Sequence, residues 1–255
     1  MRFLMLGDVV GKPGRRAVAR LLPSLKAELA LDLVIANGEN AAGGRGLTLS
    51  TASELFSAGV DVITSGNHIW DQKEIIAHLE GEMPILRPLN YPPGLPGRGY
   101  LVWNDTLIIN LIGRIFLGNF DCPFRGFDAL LARLDPLPTR IIVDFHAEAT
   151  SEKIAFGWYL DGRASAVLGS HTHVATADTR VLPKGTAYVS DVGMVGPMNS
   201  VIGMEIQTVM ERFLRQLPTQ MDVATGPVVF NSVFVEIDDA TGRAREMYRL
   251  DRKVD

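Results

Sequence analysis

Five short segments carry residues that bind transition metals: Gly7-Asp8, Gly38-Glu39-Asn40, Gly66-Asn67-His68, Asp144-Phe145-His146 and Gly169-Ser170-His171-Thr172-His173. Four of the chain's five histidines lie in them. Imidazole and carboxylate suit zinc, iron and manganese, and a set of them at the ends of apolar runs is how an α/β protein assembles a catalytic metal centre. Taken singly, each residue has a plainer reading. An Asp or Asn after a strand is commonly a turn former or helix cap, and a solitary His is commonly structural. His78 keeps that plain reading, as a surface residue of a helix. His171 and His173 differ, because alternate positions on an extended segment share one face and can both reach a metal pair.

Positioning such residues falls to the elements around them. The first half alternates short β-type runs with helical patterns, which predicts parallel strands joined by helices. Strands are expected over 2–6, 33–36 and 60–64. Between them, Ala17, Val18, Leu21, Leu22, Leu25 and Leu29 fall at helical spacing over 15–29, with Pro23 a kink or break. A helix over 50–57 is expected to be capped by Ser50 and to end near Gly59. Asp71 is the expected cap of a helix through Leu79, with Glu74 at capping-box distance. The five prolines of residues 84–99 mark a loop or a connection between layers. A hairpin joins 100–103 to 107–112 through Asn104-Asp105, and 120–127 reads as loop. Strands over 140–145 and 166–168 flank a helix near 152–160, and 228–237 pairs with 244–250 in a closing hairpin. Asp8, Glu39, Asn67 and His146 then each follow a β-type run, and ligands of open α/β sheets bind beyond the carboxyl ends of strands. Glycines at 7, 38, 66 and 169 let the backbone turn sharply there.

Composition sets the outer bounds. With 255 residues, 47% hydrophobic and 21% charged, the chain is expected to form one domain over 1–255 with a substantial core. The single cysteine, Cys122, excludes an intramolecular disulfide framework, suits a reducing cytoplasm and reads as a small buried hydrophobe. A net charge of -4 without a Lys/Arg block speaks against a stable nucleic-acid complex. No apolar stretch approaches the ~20 residues that cross a bilayer, and none resembles a signal peptide, so a soluble cytoplasmic protein is expected. A homo-oligomer is the default, with the apolar hairpins as its interface. Residues 7–16 lack a phosphate loop's spacing, since Pro13 follows Lys12. Gly43-Gly44-Arg45-Gly46 reads as a flexible surface loop ahead of a phosphate-binding turn. Ser170, among metal-binding residue types, does not read as a nucleophile.

The runs MLGDVVGKPGR, NGENAAGG, TSGNHIWD, DFHAEATSEK and GSHTHVATAD resemble the calcineurin-like metallophosphoesterases, and among them the YmdB-like branch, over nearly the whole chain. The resemblance implies a four-layer α/β sandwich with two central mixed sheets flanked by helices. It implies two transition-metal ions, iron first with manganese or zinc as alternatives. The activity implied is opening of 2',3'-cyclic nucleotides to 3'-phosphates by attack of a metal-bridging hydroxide on phosphorus. By resemblance, Asp8, Glu39, Asn40 and His173 surround one ion, Glu39, Asn67, His146 and His171 the other, and Glu39 bridges. Asn40 has the alternative of binding phosphate. Two departures stand out: the superfamily's usual Asp-x-His opening is Asp8-Val9-Val10, and its bridging Asp is Glu39. The chemistry leaves one need, a proton for the departing ribose oxygen, and imidazole is suited to give it. His68, beside Asn67 and not required by metal, is the expected acid. Asp71 either orients it or only caps a helix. A broader phosphomonoesterase or nucleotidase is one alternative. A nucleotide-sensing regulatory protein with little turnover is another, motivated by the missing histidine.

Overall fold

The computed structural model describes residues 1–255. Its elements in the first half are β1 (Arg2–Leu6), β2 (Asp8–Val9), α1 (Gly11–Glu28), β3 (Leu33–Asn37), α2 (Leu49–Ser57), β4 (Val62–Thr64), α3 (Lys73–Ile76), β5 (Tyr100–Trp103), β6 (Thr106–Ile112) and α4 (Pro123–Leu131). There follow β7 (Arg140–His146), α5 (Thr150–Leu160), β8 (Ala166–Ser170), β9 (Arg180–Val181), β10 (Ala187–Val189), β11 (Met194–Pro197) and α6 (Ile206–Arg215). The chain closes with β12 (Val228–Phe230), β13 (Ser232–Ile237), β14 (Ala244–Arg249) and β15 (Arg252–Val254). The result is a mixed α/β fold.

Strand pairing gives a five-stranded sheet, β14-β13-β1-β3-β4, a six-stranded sheet, β5-β6-β7-β8-β10-β9, and a four-stranded sheet, β15-β12-β11-β2. The first two have parallel centres: β1, β3 and β4 run together, as do β6, β7, β8 and β10. Each therefore gathers its strand carboxyl ends along one edge.

Alternation along the strands decides what covers each face. Phe3, Met5, Leu33 and Ile35 pack with Ile108, Ile142, Leu168 and Val189, so the two larger sheets share one apolar cluster. The opposite face of the first sheet, through Leu4, Leu6 and Val34, packs on Val18, Leu22 and Leu25 of α1 and Leu55 of α2. The opposite face of the second, through Ile109, Val143 and Phe145, packs on Phe127 of α4 and Phe156 and Leu160 of α5.

Several expectations change. The closing hairpin is formed by β13 and β14 alone, because the chain changes sheets at Asn231. Asn231 accepts from Gly7 N at 3.0 Å and donates to Met194 O at 3.1 Å, stitching the third sheet to the first. α1 starts earlier than expected and runs through Pro23. Its buried face, Ala17, Val18, Leu22 and Leu25, continues on both sides of the proline, and that packing offsets the missing hydrogen bond. Thr48, not Ser50, caps α2, in a reciprocal box with Thr51. α3 is one turn starting at Lys73 and Asp71 does not cap it, while Glu74 accepts instead from Leu49 N at 3.0 Å. The third strand contracts to Val62–Thr64. Part of the expected loop at 120–127 is α4, which opens with Pro123, where a missing N–H costs a helix nothing. Cys122 is only partly buried. His78 is half-buried in the turn after α3. No helix is long and apolar enough to cross a membrane.

Candidate metal centre

All seven expected ligands come to the strand-end edge between the two larger sheets. Asp8 opens β2 one glycine after β1, Glu39 and Asn40 follow β3, Asn67 follows β4, His146 ends β7, and His171 and His173 follow β8. Gly66 makes the convergence possible: a Cβ there would stand 2.2 Å from His146 Nε2 and 2.4 Å from Glu39 Oε2. Gly169 likewise admits the Ser190 carbonyl, 1.7 Å from where its Cβ would be. These glycines serve close approach rather than a sharp turn.

His171 and His173 do not share the face of an extended segment as expected. Their φ values are +105° and +63°, so the chain coils after β8 and presents the rings separately. A buried ion pair secures the coil. Lys153 Nζ lies 2.6 Å from Asp191 Oδ2 and donates to Ser170 O at 2.8 Å, while Asp191 accepts from Thr172 N at 3.0 Å and Gly193 N at 2.8 Å.

Around His146, the proton positions follow from the partners. Ser170 Oγ donates to Asp144 Oδ1 at 2.6 Å, so its contact with His146 Nδ1 at 3.0 Å requires the ring N–H to donate. In the neutral ring His146 Nε2 is then the lone pair. His171 Nε2 faces Glu148 Oε2 at 3.1 Å, which leaves Nδ1 as its lone pair, 2.9 Å from His146 Nε2. Asn67 Oδ1 at 3.1 Å and Glu39 Oε1 at 3.2 Å face the same nitrogen. The ligand atoms of Glu39, His146 and His171 all lie within 4.8 Å of one another. Acceptors converging in this way repel unless a positive charge sits among them, either a proton on His146 Nε2 or a metal cation, and N/O donors of this kind suit a transition metal.

A second group has the same logic. His173 Nδ1 donates to Ile202 O at 2.8 Å, which turns the Nε2 lone pair toward Asn40 Oδ1 at 3.2 Å and Asp8 Oδ1 at 4.0 Å. Asn40 Nδ2 donates to Gly44 O at 3.0 Å, fixing the amide with its oxygen inward. The glycine turn that reads from sequence as a surface loop is thus the support of Asn40. Asp8 is fully buried, and its Oδ1 has no hydrogen-bond partner while Oδ2 accepts from His171 N at 3.2 Å. An orphaned buried carboxylate oxygen is costly, and a cation satisfies it.

Charge in the site is correspondingly strained. Burial pushes Asp8 up to about 7, against the pull of His173 and His146. Burial acts to lower His146, but Glu39 and Asp8 lift it to about 9. Burial acts to raise Glu39, yet His146 and His68 hold it down at about 2. Burial and then His146 press His171 down to about 3. Without a metal, a proton on His146 is the counter-charge of two buried carboxylates. A cation would take its place and release it.

His68 stands outside both convergences. Its ring Nδ1 lies 2.9 Å from Asp71 Oδ2, and its backbone N–H donates to Glu39 Oε2 at 3.0 Å. Asp71 therefore faces His68, as one of the two expected roles required. Sequence reasoning missed the supports: Glu148 behind His171, and Asp144 with Asn37 and Thr64 behind Ser170. Asp144 accepts from Asn37 Nδ2 at 3.1 Å and from Thr64 Oγ1. A charge inside the apolar run Ile141-Ile142-Val143-Asp144-Phe145 was the available signal, since unpaired carboxylates are rarely buried. Lys153 and Asp191 carried no such signal.

Comparison with known proteins agrees over the full length. The family model described as YmdB-like protein matches residues 4–250. A Bacillus subtilis relative, a "2',3'-cyclic-nucleotide 2'-phosphodiesterase", is 48% identical over 254 residues, covering 98% of this chain and 96% of its own. The crystal structure of a hypothetical protein from Thermus thermophilus superposes with a TM-score of 0.93 at 46% identity, over 99% of each chain. That of a "novel phosphatase" from Mycoplasma pneumoniae does so with a TM-score of 0.93 at 36% identity, over 99% of this chain and 93% of that one.

Proposed function

The chain belongs to the YmdB-like family, and we propose that it is a dinuclear metal-dependent phosphodiesterase opening 2',3'-cyclic nucleotides to 3'-phosphates. The observation that carries the reading is the convergence of acceptor lone pairs into two groups, with one histidine, His68, left over. Asp8, Asn40 and His173 would hold one ion and Asn67, His146 and His171 the other, with Glu39 shared between the two groups. Two bound cations would clamp the phosphodiester oxygens and activate a water for in-line attack. The protein's own part is positional. Glu39 fixes the His68 backbone, Asp71 holds Nδ1 of the ring, and Nε2 is free to give a proton to the departing 2'-oxygen. The missing superfamily histidine is not replaced in place: Val10 puts an apolar side chain there, close against Gly196 and Gly203. Asn40 Oδ1 is the extra donor beside Asp8 and His173. An extra donor there supports a filled second metal site, which turnover requires.

The remaining assignments follow the same reading. The chain is one domain over 1–255, and its helix-covered sheet pair is a four-layer sandwich. Iron is the preferred metal, and the setting is the cytoplasm. A homo-oligomer is better served by α6 than by the hairpins, since Phe213 and Leu214 are 75% and 76% exposed there.

Elemental analysis and product chromatography on one metal-loaded sample test the function. Two metals per chain and conversion of 2',3'-cAMP to 3'-AMP are expected. Intact 2',3'-cAMP alongside cleavage of other esters would sink the substrate, and tight nucleotide binding with full metal but no turnover would favour a sensor.

A further inference from the structure

The loop between β6 and α4 starts against the candidate centre and holds an aromatic ring out to solvent. It begins against a candidate ligand, since Gly113 N donates to His146 O at 2.8 Å. Asn90, 3% exposed, clamps both ends. Its side chain accepts from Ile112 N at 2.9 Å and donates to Ile112 O and Asp121 O, each at 2.8 Å. Within the loop, the carboxylate of Glu152 accepts the N–H groups of Arg114 and Ile115 at 3.1 Å. The loop is therefore rigid at its base and at both ends.

At its tip stands Phe116, 89% exposed and at φ +63°. Both features are unfavourable for phenylalanine, and a glycine would remove both. The far end of the loop joins a row of rings leading back to the candidate acid. Phe120 meets Tyr91 edge-on with centroids 5.0 Å apart, and Tyr91 meets Trp70 at 5.7 Å. Trp70 lies two residues beyond His68 in the same turn.

We propose that Phe116 is a nucleobase platform of the active site, stacking on the base of the cyclic nucleotide while its phosphate sits at the metal pair. The proposal rests on the function proposed above. Stacking on an exposed ring tolerates any base, because every base has a π-face. Purine and pyrimidine cyclic nucleotides are therefore both expected as substrates, with the larger purine surface favoured.

The test compares 2',3'-cAMP with 1-O-methylribose 2,3-cyclic phosphate, which keeps the reacting group and lacks the base. Phe116→Ala is expected to lower kcat/KM for 2',3'-cAMP about tenfold, through KM rather than kcat. The base-free substrate stays within about twofold, and Phe116→Trp restores the nucleotide. An equal change on both substrates, or none on the nucleotide, overturns the platform. A wild-type protein that leaves 2',3'-cAMP intact overturns the proposed function and the platform with it. An active wild type with an unaffected Phe116→Ala overturns the platform alone.

Discussion

The two groups of candidate ligands are supported by different kinds of structure. Behind His146 stands a chain of buried side chains: Ser170 Oγ, then Asp144, then Asn37 and Thr64, none more than 2% exposed. Behind His173 and Asn40 stand backbone carbonyls of two loops, Ile202 O and Gly44 O. A side-chain relay in a sheet core fixes its ligand tightly but can be severed by one substitution. A carbonyl support survives substitution and moves with its loop. On this contrast the group around His146 is expected to be preformed, and the group around Asp8 to tighten when a cation binds.

The harshest test removes what the halves are proposed to share. Glu39→Ala is expected to empty both and to lower activity by ~10⁴-fold or more, since most of an enzyme's acceleration of ~10⁶-fold or greater would go with the ions. Metal content by elemental analysis gives the sharper answer: if one ion per chain remains, Glu39 serves only one group and the bridge is wrong.

His68→Ala comes next and separates chemistry from metal. Loss of a positioned acid costs ~10²–10⁴-fold in rate, with both ions retained. A parallel loss of metal would place His68 inside one of the groups instead of beside them.

How much of this contrast could be read from sequence depends on where each support comes from. Asp8, Glu39, Asn67 and His146 were legible because each follows an apolar run, and strand polarity then dictates a common edge. His171 and His173 were found for the wrong reason. Both residues do reach the candidate centre, but the extended geometry that paired them is replaced by positive φ, held by Asp191 from a later segment of the chain and by Lys153 from a helix. Local spacing cannot report such tertiary restraint. The third sheet was illegible for a similar reason: Val228 to Ile237 is one β-type run, and only the pairing partners divide it at Asn231. α4 was hidden by Cys122-Pro123, which reads as a loop although proline is at home in a first helical turn.

Ser170→Ala tests the contrast itself. It severs the relay while leaving every candidate ligand in place, so His146 loses the acceptor that fixes its tautomer. Metal affinity of that group should fall about 10- to 100-fold, with the Asp8 group unchanged. A titration with two resolvable binding events measures it. Equal weakening of both events would mean that the two halves form one cooperative unit and that the distinction drawn from their supports is false.

Asp71→Asn carries the smallest expected effect and the finest discrimination. The amide keeps the shape of the side chain and can still accept from His68 Nδ1, but it gives up the charge-assisted bond. Such bonds are roughly twice as strong as neutral ones. A kcat lowered by about tenfold or less, with KM and metal content unchanged, would show that Asp71 acts through the ring it holds. Asp71 caps no helix, because α3 starts beyond it with Gln72 at the cap position. Loss of fold stability in Asp71→Asn without loss of kcat would therefore contradict its place beside the acid and return it to the loop architecture.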